Sequence, residues 1–219
     1  MKHETLRREI IAACQDMNRR GINQGTSGNI SVRVPEGLLL TPSGLPYDEM
    51  EPADIVLMRL DGSHEGRRKP STEWRFHRDI IASRPEVGAV VHTHAMFATT
   101  LSCLRLDIPA VHYMVAAAGG TTIRCAPYAT FGTPELAALA LKALEGRSAC
   151  LLANHGMIAV GPNLKKAMWL AVEVETLAAQ YWRALQVGKP YILSDEEVAA
   201  VIERFRTYGQ VPEQPSGCC

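Results

Sequence analysis

Residues 88–95 read Gly88-Ala89-Val90-Val91-His92-Thr93-His94-Ala95. The β-branched run predicts a buried strand. Side chains alternate across a strand, so His92 and His94 project from one face. Their backbones then stand roughly 6–7 Å apart, and both imidazoles can grip one divalent ion. The plain alternative is two histidines that hydrogen-bond independently. His155 adds weight to the metal reading. It follows the apolar run Cys150-Leu151-Leu152-Ala153 and precedes Gly156. A polar ring at the end of a core strand must find a partner, a metal or a backbone carbonyl. Three imidazoles leave an open fourth position, as catalytic zinc sites require.

Glu73 is the best fourth group. It is expected in the first turn of a helix capped by Ser71, beside the apolar Trp74. A first-turn acid can also serve only the helix dipole. His77, one turn further on, could pair with Glu73. It ranks lower because Arg75 and Arg78 predict a more exposed setting. His3, His64 and His112 have no comparable spacing.

Around this centre, helices and strands alternate along the whole chain, the pattern of an α/β domain. Residues 5–20 predict a helix with Leu6, Ile10, Ala13, Cys14 and Met17 on one face, stopped by Gly21. Residues 29–34, 38–41 and 54–60 read as strands, with a turn at Asp61-Gly62. The Ser71 helix ends at Arg84 because Pro85 follows. Residues 121–128 look extended. Thr133 and Pro134 open a helix as N-cap and first residue, and Gly146 closes it. Residues 149–161 read as buried strand broken by a turn at His155-Gly156. Asn163 caps a long helix to about Val187, and Ser194 with Glu197 forms a capping box for a last helix, 195–208.

The chain has 219 residues, 47% hydrophobic and 21% charged, which excludes wholesale disorder. Lys+Arg (23) balances Asp+Glu (23), so no basic excess exists to hold a nucleic-acid backbone. No apolar run reaches a membrane span, and residues 1–20 do not read as an export signal. Cys14, Cys103, Cys125 and Cys150 sit in apolar segments, as buried thiols do. Absence of CxxC argues against a thiolate zinc knuckle. Free thiols point to the cytoplasm. The domain is expected to span 1–210, with 211–219, ending in Cys218-Cys219, as a flexible tail.

Three loops could hold an anion: Gly25-Thr26-Ser27-Gly28-Asn29, Thr41-Pro42-Ser43-Gly44 and Pro70-Ser71-Thr72. Each offers hydroxyls and backbone N–H groups suited to phosphate. None is a Walker loop or a dinucleotide fingerprint, and any one alone reads as a turn. Together, beside the histidines, they point to a phosphorylated small molecule. A phosphate on Ser71-Thr72 would sit close to the metal.

The set GTSGNISVR, TPSG, STEWRFH, VVHTHA, HYMVAAAGG, CAPYATFGT, NHGMIAVG and SDEE…FRTYG resembles the class II aldolases of the L-fuculose-1-phosphate aldolase type, from Asn23 to Gly209. More distantly it resembles the ribulose-phosphate 4-epimerases and methylthioribulose-phosphate dehydratases. The resemblance implies a single α/β domain with a central, mostly antiparallel sheet flanked by helices, assembled as a homotetramer with sites at subunit interfaces. It implies one Zn²⁺ per subunit on His92, His94 and His155, with Glu73 as a ligand in the resting state. It implies a substrate phosphate on Thr26, Gly28, Asn29, Ser43, Gly44, Ser71 and Thr72. Tyr113 matches an acid/base on the aldehyde side. Tyr208 matches a tyrosine that reaches a neighbouring subunit, and Phe131 and Phe205 match apolar residues around the aldehyde. Asn154 stands where the family carries a non-ligand histidine, and QVPEQPSGCC after Gly209 departs from the family tail, which covers the aldehyde end.

The chemistry has an argument of its own. Cleaving C3–C4 beside a ketone leaves an enediolate whose charge must be held. A Schiff-base lysine is one solution. Lys2, Lys69, Lys142, Lys165, Lys166 and Lys189 all lie in polar or surface contexts. A Lewis-acid metal is the other. The expected reaction is retro-aldol cleavage of a ketose 1-phosphate, with Tyr113 taking the C4-hydroxyl proton and Glu73 returning one to C3. An epimerase or dehydratase is the alternative on the same scaffold. A non-catalytic adducin-head-like domain would be expected to have lost these ligands.

Overall fold

The computed structural model describes residues 1–207; Tyr208 and the tail 211–219 lie outside the described residues. In chain order the elements are α1 (Glu4–Arg19), β1 (Asn29–Val34), β2 (Gly37–Leu40), β3 (Val56–Met58), β4 (His64–Glu65), α2 (Trp74–Ser83), β5 (Ala89–Thr93), α3 (Met96–Cys103), β6 (Ile108–Pro109), β7 (Thr122–Ala126), α4 (Pro134–Ala143), β8 (Ala149–Leu152), β9 (Gly156–Gly161), α5 (Leu164–Val187) and α6 (Asp195–Thr207). Short 3₁₀ turns occupy Tyr47–Glu49, Pro52–Asp54 and Tyr113–Ala118. The strands form one sheet in the order β4-β3-β2-β1-β5-β9-β8-β7-β6. Among the described pairings only β7–β8 is parallel. The expected α/β architecture, with a mostly antiparallel sheet between helices, is the observed one.

The central strands are buried on both faces, which is why they read as continuous apolar runs. Ala89 and Val91 of β5, Leu151 of β8, and Met157 and Ala159 of β9 pack with α1, α3, α5 and α6. Val90, Cys150, Leu152, Ile158 and Val160 take the opposite face, with Phe76, Ile80 and Ile81 of α2 and Leu136, Ala137 and Ala140 of α4. The period of two therefore assigns His92 to the α2 face, with Val90. Among the described residues, no helix is long and apolar enough to cross a membrane.

Several caps are where the sequence places them. Thr133 Oγ1 accepts from Leu136 N–H, Asn163 Oδ1 accepts from Lys166 N–H, and Ser194 and Glu197 bond reciprocally. Other readings are corrected. The Ser71 hydroxyl accepts from Glu73 N–H, but α2 begins only at Trp74, with Glu73 as its N-cap. The expected strand 54–60 shortens to 56–58 because Pro52–Asp54 winds into a 3₁₀ turn. There buried Asp54 gathers Arg67, Arg68 and Glu51 N–H. Cys103 is exposed and Cys125 half-buried, so the apolar context of those two thiols did not bury them.

Candidate metal and sugar-phosphate site

The imidazoles of His92, His94 and His155 meet at the end of β5. Their ring centroids form a nearly equilateral triangle with sides of 5.0, 4.9 and 5.0 Å. His92 is fully buried, with Phe76 edge-on at 5.4 Å. Its Nδ1–H donates to Met157 O across the β5–β9 ladder at 2.9 Å, which leaves Nε2 as a bare lone pair. His94 lies one residue past β5, yet its Nε2 stands 3.1 Å from His92 Nε2. The turn at Ala153–His155, one residue earlier than expected, reverses the chain between β8 and β9. Asn154 takes a left-handed conformation (φ 54°) there, which asparagine tolerates, and presents His155 to the other two rings.

Gly156 makes the convergence possible. A Cβ there would lie 2.5 Å from Thr93 O, 3.0 Å from His94 Cδ2 and 3.3 Å from His92 Cε1. Gly28 does the same for the Gly25–Asn29 loop, since a Cβ would lie 2.8 Å from His92 O.

Glu73 closes the group. Its Oε2 is 3.2 Å from His92 Nε2 and its Oε1 is 3.1 Å from His155 Nε2. Burial alone would raise its pKa, but a proton on His92 or on His155 outweighs that and holds it well below the usual carboxylate range. Burial, reinforced by His92 and His155, pushes His94 down to about 4, so it is a neutral lone-pair donor near pH 7.

This donor set fits a divalent cation. Glu73 Oε1 is buried with no hydrogen bond of good geometry, although His155 Nε2 stands 3.1 Å away. Nitrogen lone pairs facing each other at 3.1 Å repel unless something positive lies between them. Four donors about 2.05 Å from a tetrahedral ion stand roughly 3.3 Å apart, close to the spacings seen here.

His94 and His155 border a cavity of about 330 Å³ whose lining also includes Thr26, Thr72, Glu73, Tyr128 and Phe131. No lysine lines it. The Phe131 loop is held by Arg75, which donates to Gly132 O at 2.6 Å, and by Gly132 itself, where a Cβ would meet Thr72 O at 2.8 Å. The loops containing Ser43 and Ser71 are tied by a Pro42–Pro70 bridge and by Ser43 N–H donating to Lys69 O. Ser43 and Gly44 stand outside the cavity lining, and Ser71 is buried. Asn29 is buried, and its Nδ2 donates to Glu73 Oε2 at 3.0 Å.

Two expected site residues lie elsewhere in the chain. Pro109 pairs with Thr122 at the start of β7, whereas Ala126 at its end pairs with Leu152, next to the His155 turn. Tyr113, just beyond β6, therefore sits at the opposite end of the sheet from the histidines, half exposed and stacked on His112. Phe205 lies on α6, which packs on the Tyr113–Ala118 turn, and its ring rests against the core cluster of that face.

The exposed setting expected for His77 is overturned. It is fully buried between α2 and β1, and burial, then the charge of His92, pushes it down to about 3. It is not one of the clustered ligands. Sequence reasoning missed Tyr128 in the cavity wall. It also missed Asn23, whose Oδ1 accepts from Ser27 Oγ and His94 N–H. Neither carries a spacing signal: Asn23 meets His94 71 positions away, and the fold alone brings Tyr128 into the wall.

Comparison with known proteins agrees with this geometry. Residues 8–182 match the family described as the Class II Aldolase and Adducin N-terminal domain. A 5-methylthioribulose-1-phosphate/5-deoxyribulose-1-phosphate aldolase of Rhodospirillum rubrum is 58% identical over 211 residues, covering 96% of each chain. An L-fuculose phosphate aldolase of Escherichia coli K12 is 52% identical over 210 residues, covering 95% of this chain and 98% of that one. A solved L-fuculose 1-phosphate aldolase superposes with a TM-score of 0.91 at 41% identity, covering 94% of this chain and 98% of the other. With a histidine triangle and carboxylate at the end of β5, and with the family matched over most of its length, this chain belongs to the class II aldolase and adducin N-terminal domain family.

Proposed function

We propose that this protein is a class II aldolase that cleaves a ketose 1-phosphate between C3 and C4, giving dihydroxyacetone phosphate and an aldehyde. The observation that carries the reading is the convergence of His92, His94, His155 and Glu73 on one cavity walled by Phe131. The residues holding the metal are His92, His94, His155 and, at rest, Glu73, and the metal we assign is zinc. A bound Zn²⁺ supplies Lewis-acid stabilisation of the negative charge that develops on the vicinal oxygens of the triose-phosphate half.

The protein's own groups move the protons. Tyr113 takes the proton of the C4 hydroxyl, the C3–C4 electron pair passes to the triose-phosphate half, and a carbonyl forms at C4. Glu73, protonated in the substrate complex, delivers a proton to C3. Condensation runs these steps in reverse, with the Glu73 carboxylate as base. The phosphate is assigned to Thr26, Gly28, Asn29, Ser43, Gly44, Ser71 and Thr72, and the aldehyde to Phe131 and Phe205. Because Tyr113 and Phe205 lie at the far end of the sheet from their own histidines, they reach a site only in a neighbouring copy. Tyr208 is assigned to a neighbouring subunit's site as well. This supports a homotetramer with sites between subunits. The free thiols of Cys14 and Cys150 fit a cytoplasmic enzyme.

The cavity wall of Tyr128, Ala129 and Phe131 accepts an apolar aldehyde end, so 5-deoxy- and 5-methylthio-pentulose 1-phosphates stand beside L-fuculose 1-phosphate as substrates. A panel of fuculose, rhamnulose, 5-deoxyribulose and 5-methylthioribulose 1-phosphates, assayed with zinc for triose phosphate release, tests this. Release from at least one is expected. A changed pentulose phosphate without triose phosphate would make the protein an epimerase or dehydratase instead.

A further inference from the structure

Behind Glu73 lies a buried chain of polar side chains, two of which, Ser31 and His77, have no part in the reaction above. Ser31 Oγ is 2.7 Å from His77 Nδ1, His77 Nε2 is 2.5 Å from Asn29 Oδ1, and Asn29 Nδ2 is 3.0 Å from Glu73 Oε2. Ser31, His77, Asn29 and Glu73 are all at most 5% exposed. The placement follows from the sheet. Asn29 and Ser31 alternate with core-facing Ile30 and so face α2, where His77 projects, and Asn29 pairs directly with His92 across β1–β5.

The polarity of the chain is set by the member that can only accept. A Glu73 carboxylate offers no proton, so Asn29 must present its NH₂ to it. The Asn29 carbonyl oxygen then faces His77, whose Nε2 must carry the hydrogen. Nδ1 of the neutral ring is left bare and accepts the Ser31 hydroxyl.

We propose that His77 is a positioning residue, held in its Nε2–H tautomer by the Asn29 carbonyl oxygen with the Ser31 hydroxyl on Nδ1, that fixes the Asn29 amide so that Glu73 is oriented toward the metal-binding histidines. The inference rests on Glu73 acting at the metal in the reading above. Without the His77 donor, the Asn29 amide is free to flip and to set its carbonyl oxygen against the carboxylate, two acceptors face to face. Partners behind a ligand typically change metal affinity or activity by about 10–100-fold.

The test uses the full chain, with three readouts. Long-range ¹H–¹⁵N correlation on the metal-free protein reports the His77 tautomer, and the Nε2–H form is expected. Ser31→Ala, which removes only the partner of Nδ1, is expected to keep it, because Asn29 Oδ1 still faces Nε2. Chelator competition and steady-state kinetics then compare His77→Leu, which can neither donate nor accept, with His77→Gln, whose amide can do both with the same polarity. His77→Leu is expected to lose about 10–100-fold in zinc affinity and in kcat, with KM changed less than about threefold, and His77→Gln to recover most of both. An Nδ1–H tautomer in the wild type overturns the proposal. So does a folded His77→Leu with wild-type zinc affinity and kcat, or a His77→Gln as impaired as His77→Leu. Should His77→Leu not fold, the tautomers of wild type and Ser31→Ala decide. Should no ketose 1-phosphate be cleaved, the tautomer and the zinc affinity still decide this inference separately from the assigned reaction.

Discussion

Glu73→Gln is expected to fold and to keep the histidine triangle while turnover falls by about 10²–10⁴-fold, the usual contribution of a positioned acid/base. The two side chains have nearly the same shape, so the buried position loses no packing. The glutamine oxygen can still accept from Asn29 Nδ2, as Oε2 does now. What disappears is the group proposed to exchange a proton with C3. The glutamine nitrogen, placed near His155 Nε2 where Oε1 stands, also offers a donor in place of a lone pair. Metal affinity should fall less than turnover, because three imidazoles remain. The check is kcat for triose phosphate release alongside metal content of the same sample. A Glu73→Gln protein with turnover within about threefold of wild type would remove Glu73 from its catalytic role.

His155→Ala is expected to lose metal affinity by more than the 10–100-fold typical of removing an outer partner, and turnover with it. His155 stands on a turn between β8 and β9, partly open to the cavity, and its Nε2 interacts with Glu73. It belongs to neither apolar core cluster, so the circular dichroism spectrum and thermal midpoint of the metal-free protein should stay close to wild type. Two imidazoles and a carboxylate would remain, an incomplete set for a catalytic zinc site. Chelator competition and activity at saturating zinc measure both losses. Wild-type affinity in this variant would take His155 out of the ligand set.

The site was legible where chemistry follows local spacing. His92 and His94 were paired by the two-residue period of a strand, although the ladder stops at Thr93 and leaves His94 just beyond it. The apolar runs 89–91 and 149–152 declared strands covered on both faces, as the two core clusters show. Thr133, Asn163 and Ser194 were readable because a cap acts within three residues. Contacts across the fold were not legible. His77 looked exposed between two arginines, yet Arg75 and Arg78 lie over Trp74 while His77 points inward to β1. Helix α3, residues 96–103, went unassigned, its start held by Glu175, which accepts from Phe97 and Ala98 N–H some 77 positions upstream. The separation of Tyr113 from the histidines depends on sheet order, which local patterns do not encode.

The central claim is that three imidazoles far apart in the chain share one cation. Zinc-edge X-ray absorption on the zinc-loaded protein tests it most directly. The account predicts one zinc per chain with three histidine nitrogens and an oxygen at about 2.0–2.2 Å. Sulfur scattering at about 2.3 Å, or a shell with fewer than three imidazoles, would contradict it.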